Sequence, residues 1–202
     1  MMLHVDYLKI YRKIFRQSFI VTPEENDGEY AVSLIENDSN AKLKQLNVHN
    51  VPKNTILLPL HQYSKLDLGK LLGKILEGGS GIFKCCDYLM ITAMQEGIHL
   101  IFVEMKSNEL DRGDVVKQFK GASCFIDYCN AIAEHFHNAP LQNAAPLHTW
   151  YVLFSLGNIN KRPTKREYNA KHTSPDNYLH HRIGSKTADI QFGMLLTPKR
   201  KS

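Results

Sequence analysis

Three charged residues stand at the ends of two apolar stretches between Gly78 and Ser107. Asp87 comes directly before the stretch YLMITAM, and Glu104 and Lys106 lie at the end of the stretch IHLIFVEMK. Carboxylates are ligands for hard divalent cations such as Mg²⁺, which take one or two of them and complete their shell with waters and substrate phosphates. A lysine beside such a site can orient a water or stabilise developing negative charge. These residue types therefore indicate metal-assisted chemistry on a phosphate-bearing substrate.

The two apolar stretches predict a β-hairpin, and its geometry decides whether the three residues meet. Successive side chains of a strand point to opposite faces, so Glu104 and Lys106 share one face. A turn centred on Gln95–Glu96 pairs Asp87 with Glu104. A turn centred one residue later pairs Asp87 with Lys106. In either register Asp87 lies at the same end of the hairpin as the other two. Opposed side chains have Cβ atoms about 4.5–5.5 Å apart, and two carboxylates so close repel unless a cation lies between them.

The surrounding sequence predicts helices and strands in alternation, which favours an α/β or α+β fold with a mixed central sheet flanked by helices. A helix over 65–77 precedes the hairpin; Ser64 can cap it, with Asp67 as the capping-box acid. A long helix over 111–136 follows the hairpin and has apolar residues at helical spacing. Pro59 places its strand at an edge or an end. The other predicted elements are a helix over 2–17, strands over 19–23, 29–36, 55–60 and 149–156, a loop or short helix over 37–54, and a last strand or short helix over 188–196.

Asp87, the apolar hairpin and the triplet Glu104-Met105-Lys106 together resemble the core of the PD-(D/E)XK nuclease superfamily, which has the restriction-endonuclease-like fold. Cys86 stands where the name of the motif has a proline. The superfamily core is a helix, a β-hairpin carrying the motif, a second helix and a further strand, and the predicted elements follow that order over residues 64–157. An E-x-K triplet occurs by chance about once in 200 residues of average composition. The resemblance therefore depends on the position of the triplet at a strand end, facing an Asp.

The resemblance implies a site with more residues than the three charged ones. Many members have an acidic residue in the first helix and a Gln in the second, and Glu77 and Gln118 occupy the matching stretches KILEGG and VVKQFKG. Lys106 would position or activate the attacking water, and Gln118 would support the water or the substrate. The implied residues are Asp87, Glu104, Lys106 and Gln118 for catalysis, and Asp87, Glu104, the backbone carbonyl of Met105 and Glu77 for Mg²⁺ or Mn²⁺.

Positive charge is concentrated in the last fifth of the chain. The net charge of the whole chain is +5, but residues 161–202 have ten Lys and Arg against three Asp and Glu, a net of +7. Such an asymmetry indicates a polyanionic partner, although a solvated basic tail would show it too. The residues that we expect to bind nucleic acid are Lys161, Arg162, Lys165, Arg166, Lys171 and Arg182.

Length and composition favour one domain over residues 1–202, with the nuclease-like core at 64–157 and the basic C-terminal segment at 158–202. No apolar run approaches the roughly 18 residues that a membrane span needs, and the N-terminus has no continuous apolar segment typical of a signal peptide. The four cysteines form no C-x-x-C pair and no zinc spacing. We therefore expect a cytoplasmic protein with reduced cysteines and no membrane partner.

The favoured function is a metal-dependent nuclease that hydrolyses phosphodiester bonds of nucleic acid, DNA before RNA. The resemblance implies a setting in phage defence, restriction or repair, and a homodimer or a partner protein of a defence system. One alternative is a catalytically silent subunit of the same fold that binds nucleic acid or a protein. Another is a structural or regulatory protein whose hairpin charges are incidental.

Overall fold

The structure is a computed structural model, and it describes residues 4–62, 84–107, 111–139, 146–157 and 172–196. Two groups of predicted features lie outside these residues. One is the helix over 65–77 with Glu77. The other is most of the basic segment: Lys161, Arg162, Lys165, Arg166 and Lys171.

The described residues form an α+β fold of two helices and nine strands. Short 3₁₀ turns lie at Gln17–Phe19, Leu60–Gln62 and Phe192–Leu195. In chain order the elements are α1 (His4–Ile14), β1 (Glu24–Asn26), β2 (Glu29–Ile35), β3 (Gln45–His49), β4 (Thr55–Pro59), β5 (Tyr88–Met94), β6 (Gly97–Lys106), α2 (Arg112–His137), β7 (Leu147–Leu156), β8 (Leu179–Ile183) and β9 (Thr187–Gln191).

The central sheet has five strands in the order β4-β5-β6-β7-β8. The strands β4, β5 and β6 are antiparallel neighbours, whereas β6, β7 and β8 run parallel. A two-residue turn joins β5 to β6, as an antiparallel pair allows, and α2 provides the crossover that the parallel pair β6–β7 requires. Pro59 ends the edge strand β4, as its missing N–H predicts. The mixed central sheet of the sequence prediction is therefore confirmed.

Two different layers cover the two faces of this sheet. On one face α1 and α2 pack on alternate residues of the strands, with Tyr11, Phe102 and Phe119 fully buried between them. On the other face lies a second mixed sheet, in the order β1-β2-β3-β9, whose Leu34 and Val48 pack with residues of the central sheet. In the described part of the chain, the predicted flanking helices lie on one face of the sheet. Since β5 and β6 are apolar on both faces, each face needs a cover, and among the described residues a sheet provides the second one.

The helix α2 begins and ends at residues that satisfy its terminal backbone groups. The Asp111 carboxylate accepts hydrogen bonds from the N–H groups of Gly113 and Asp114 at 2.8 and 3.3 Å. At the other end Asn138 has a left-handed conformation (φ 51°), and its backbone N–H bonds to the Ala133 carbonyl. The Asp111 cap begins α2 shortly after β6 in the chain, and the candidate site lies near this end of the helix.

Some predicted elements differ from the observed ones. The predicted strand over 19–23 is a 3₁₀ turn followed by a single bridge between Val21 and Leu57. The stretch 37–54, predicted as loop or short helix, contains β3. The basic C-terminal segment contains β8, which lies before the last element predicted there, over 188–196. Both are five-residue strands with few apolar residues, so pairing with neighbours distant in sequence, and not local pattern, makes them strands.

Gly97 holds the hairpin that carries the site. Its φ is +148°, and a Cβ at this position would lie 2.3 Å from the Pro146 carbonyl oxygen, which also accepts a hydrogen bond from the Ile98 N–H. We expect Gly97→Ala to lower the free energy of unfolding by about 2–4 kcal/mol, because the backbone must shift. Urea unfolding would measure this change. Gly193→Ala, which meets nothing within 4 Å, is the control and should stay within about 1 kcal/mol of the wild type. Equal stability of the two variants would contradict the expectation.

Candidate active site

The hairpin register places Asp87 directly opposite Glu104. Tyr88 pairs with Val103 and Met94 with Gly97, so Gln95 and Glu96 form the turn. This is the first of the two registers that the sequence allowed. Glu104 and Lys106 lie on the face of β6 that α2 covers, and Asp87 joins them at the start of β5.

Backbone groups hold the two carboxylates together. The Asp87 N–H donates to Glu104 Oε2 at 3.2 Å, and the Met105 N–H donates to Asp87 Oδ2 at 2.7 Å. The N–H and C=O of one residue in an extended strand point to the same edge, so the Met105 carbonyl also faces Asp87. Two carboxylates and one carbonyl thus converge at the end of the hairpin.

Lys106 is the cationic member of the group. Its Nζ lies 2.6 Å from Glu104 Oε1; the Glu104 side chain is 1% exposed and the Lys106 side chain 27% exposed. Burial lowers the pKa of Lys106, but the attraction of Glu104, its hydrogen bond and the nearby Asp87 and Asp114 outweigh burial and raise that pKa overall. Lys106 is therefore a charged and partly exposed group that pairs with the buried Glu104.

Burial makes the charged forms of both carboxylates unfavourable. Burial first, and then repulsion from Glu104, raise the pKa of Asp87 well above its ordinary range, although the Met105 N–H opposes the shift. Burial raises the pKa of Glu104 to about 7, against the lowering effects of Lys106, the Asp87 N–H and a hydrogen bond from Gln118. A cation between the two carboxylates would favour their charged forms and so oppose both shifts.

This arrangement predicts a pH dependence of stability that Glu104→Gln should weaken. The pKa of Glu104 rises from its ordinary value of 4.5 to about 7 on folding, so between these values the native state binds more protons than the unfolded state. The free energy of unfolding therefore falls as pH rises through this window, by roughly 3 kcal/mol relative to the variant. Urea unfolding of both proteins at pH 5 and pH 8 measures the difference. Parallel pH curves would show that Glu104 ionises normally.

Gln118 reaches the site from the second turn of α2. Its neighbours Val115 and Phe119 are fully buried against the central sheet, which turns Gln118 toward the end of β6. Its side chain lowers the pKa of Glu104, and its Oε1 is buried without a hydrogen-bond partner among the described residues. A buried amide oxygen without a hydrogen bond lowers stability by about 1–3 kcal/mol. We therefore expect this oxygen to accept a hydrogen bond from a water or from a substrate.

Two neighbours of Asp87 were not expected from the sequence. His61 follows β4, and both its backbone N–H and its ring Nδ1 lie 3.3 Å from the Asp87 carbonyl oxygen, while its ring packs on Tyr88 at 5.4 Å. Glu36, just after β2, contributes to the raised pKa of Asp87. The Tyr88 hydroxyl bonds to the backbone of Ile35 and fixes this end of β2 near the site. No spacing in the sequence relates these residues to the hairpin, because they meet it only through sheet packing.

The ligand set fits Mg²⁺ or Mn²⁺ better than a structural zinc. Asp87, Glu104 and the Met105 carbonyl offer only oxygen, and Mg²⁺ uses one or two carboxylates with waters and substrate. No group of three or more His, Cys, Asp or Glu side chains suited to a metal occurs within the described part of the chain, and Glu77 lies outside it. The crowded carboxylates and the unpaired Gln118 oxygen are the observations that support a cation here.

Of the residues expected to bind nucleic acid, the structure describes Arg182. It lies exposed on β8, next to Ser155 of β7, which in turn lies next to Lys106 of β6. The basic side chain of Arg182 therefore belongs to the same end of the central sheet as the carboxylate pair.

Comparison of the chain with protein-family models, with curated proteins and with solved structures found no match. Neither helix of the described residues combines the length and the apolar character needed to cross a membrane. We therefore infer a function from the geometry of the site.

Proposed function

We propose that the protein is a metal-dependent nuclease that hydrolyses phosphodiester bonds of nucleic acid, with DNA as the favoured substrate. The observation that carries this proposal is the opposed pair of a half-buried Asp87 and a buried Glu104, both with raised pKa values, with the partly exposed Lys106 beside Glu104. Without a cation, a carboxylate pair of this kind lowers the stability of the fold. Such pairs with raised pKa values are typical of functional sites, so the pair at the end of this hairpin indicates a function.

Each residue has a distinct part in the proposed reaction. Asp87, Glu104 and the Met105 carbonyl would hold Mg²⁺ or Mn²⁺, which stabilises negative charge on the phosphate and on the leaving oxygen. Lys106 is charged and partly exposed, so it can orient the attacking water and stabilise developing negative charge. Gln118 Oε1 can accept a hydrogen bond from that water and so fix its direction of attack.

The direct test is incubation of plasmid DNA and of labelled single-stranded DNA and RNA with the protein in Mg²⁺, in Mn²⁺ and in EDTA. We expect cleavage that needs the metal and that Asp87→Asn removes. Cleavage of RNA alone would change the substrate but keep the reaction. Metal-independent cleavage, or cleavage that Asp87→Asn retains, would contradict the proposed site.

One observation favours the alternative of a silent subunit that binds nucleic acid without turnover. The ion pair of Lys106 with Glu104, at 2.6 Å, already neutralises one carboxylate. In that case the wild type should bind nucleic acid in a salt-sensitive way and cleave nothing in either metal. The setting in defence, restriction or repair stays part of the proposal that the resemblance implies.

The basic segment predicts a measurable change in salt dependence. Lys165→Ala/Arg166→Ala should weaken binding about equally for all sequences, since phosphate contacts carry no base information. If both residues contact phosphates, the slope of log affinity against log salt should become about 2 units shallower. Titration of labelled DNA at four salt concentrations measures the slope. Lys13→Ala/Arg16→Ala, which removes two exposed charges near the end of α1, is the control. If the salt slope is the same in both double variants, residues 161–171 are a solvated segment that does not contact phosphates.

A further inference from the structure

A row of polar side chains continues the site across the carboxyl ends of three parallel strands. Lys106 of β6 is the register partner of Ser155 of β7, and Ser155 is the partner of Arg182 of β8. Register partners in a sheet point to the same face, and adjacent strands are about 4.8 Å apart. The row therefore spans about 10 Å from the backbone of Lys106 to that of Arg182. Leu153, two residues before Ser155, packs on the helix side, so the row lies on the face of the carboxylates.

Ser155 and His180 are joined within this row. Ser155 Oγ lies 2.7 Å from His180 Nε2. His180 and Arg182 are two residues apart on β8 and so share a face. Ser155 is only 3% exposed, whereas His180 is half-buried and Arg182 exposed. Ser155 therefore contacts the His180 ring from the buried side. His180 and Arg182 are the groups of this row that a ligand in solution can reach.

The charge of the row suits an anion. The strands β7 and β8 contain no acidic residue, and the charged side chain of β8 is Arg182. The nearest acids in sequence have other partners: Asp176 pairs with Lys120 at 3.2 Å, and Asp189 with His49 at 3.0 Å. Arginine forms a planar fork that matches phosphate oxygens, and ligands of open sheets bind outside the carboxyl ends of parallel strands.

We propose that His180 and Arg182 form a subsite for the phosphate next to the one that is cleaved, with Ser155 as the positioning residue of His180. The bound strand would then cross the ends of β6, β7 and β8, from the carboxylate pair toward β8. This proposal rests on the proposed function for the identity of its ligand, a nucleic-acid phosphodiester. It assigns Ser155 a part in substrate binding that the local sequence pattern did not reveal.

The test separates binding from cleavage by using the full chain in the Glu104→Gln background. Arg182→Gln should weaken binding of a labelled 20-nucleotide DNA about tenfold and make the salt slope about 1 unit shallower. His180→Leu and Ser155→Ala should each weaken binding without changing the slope, and Ser155→Thr should restore it, since the hydroxyl returns. In the otherwise wild-type chain, Arg182→Gln should raise KM more than it lowers kcat, the mark of a group that binds substrate and transition state alike. Arg16→Gln is the matched exposed control.

The outcomes distinguish this subsite from the proposed function. If Mg²⁺-dependent cleavage is present but the Arg182, His180 and Ser155 variants match the Arg16 control, the subsite is wrong and the nuclease stands. If nothing is cleaved but Arg182→Gln still flattens the salt slope, His180 and Arg182 bind a phosphate and the proposed nuclease activity is wrong. If the wild type neither binds nor cleaves, both are wrong. Circular dichroism of each variant checks folding, and Arg182→Lys supplies a second exposed variant that keeps the charge.

Discussion

Glu104→Gln is expected to lower the rate of Mg²⁺-dependent cleavage about 10³-fold or more while leaving the fold intact. A metal ion at a phosphoryl group supplies several kcal/mol of transition-state stabilisation, and each 1.36 kcal/mol corresponds to about tenfold in rate. The amide keeps the shape of the carboxylate but loses the charge that holds the cation. The opposite face of β6, with Ile101, Val103 and Met105 packed against the second sheet, is untouched by the change.

A thermal melt with and without Mg²⁺ tests the same variant without activity. Mg²⁺ that binds only the native state raises its stability by mass action, so the wild type should gain in Tm and Glu104→Gln should gain much less. Without Mg²⁺ at pH 8 the variant should be the more stable protein, because the pKa of Glu104 is raised to about 7 and its charge is unfavourable above that pH. Glu134→Gln, an exposed change on α2, should respond to Mg²⁺ as the wild type does. Retained cleavage together with an unchanged Mg²⁺ response in Glu104→Gln would remove Glu104 from the site.

The sequence predicts the hairpin part of the site well because that part is local. Period-2 alternation puts Glu104 and Lys106 on one face, and either of the two possible turns brings Asp87 to their end of the hairpin. The structure has the turn at Gln95 and Glu96, which places Asp87 opposite Glu104. Gln118 also follows from a local pattern, since it lies within the predicted long helix and next to its buried stripe. The position of each of these residues follows from a single hairpin or helix, so local sequence is enough to predict it.

The residues that the sequence did not predict depend on contacts between distant parts of the chain. His61 reaches Asp87 from the end of β4, and Ser155 meets His180 through the register of β7 and β8. The second sheet pairs β3 with β9, which are about 140 residues apart in the chain. Local periodicity cannot predict such a long-range pairing. The observed fold shows the class and the mixed sheet, while a restriction-endonuclease-like core stays a proposal because the helix over 65–77 lies outside the described residues.

Lys106→Met is expected to separate metal binding from turnover. Methionine keeps an unbranched side chain of similar length but leaves Glu104 buried without its cation, and breaking a buried ion pair costs about 3–5 kcal/mol. The loss should be largest above pH 7 and small near pH 4, because the pKa of Glu104 rises further without Lys106 and protonation then removes the unpaired charge. Added Mg²⁺ should restore much of the stability, whereas cleavage should stay about 10²-fold or more below the wild type, because the group that orients the water is gone.

The matched control for this variant is Lys84→Met. Lys84 pairs with Asp114 at the start of α2, and these side chains are 41% and 30% exposed, so the change should cost no more than about 1 kcal/mol at any pH. Urea unfolding at pH 5 and pH 8, with and without Mg²⁺, compares the two variants beside a cleavage assay. A Lys106→Met protein that is as stable as Lys84→Met at pH 8 would mean that Glu104 reaches solvent or another cation. If Lys106→Met cleaves as fast as the wild type, Lys106 is a structural counter-ion of Glu104. Gln118 alone would then orient the attacking water.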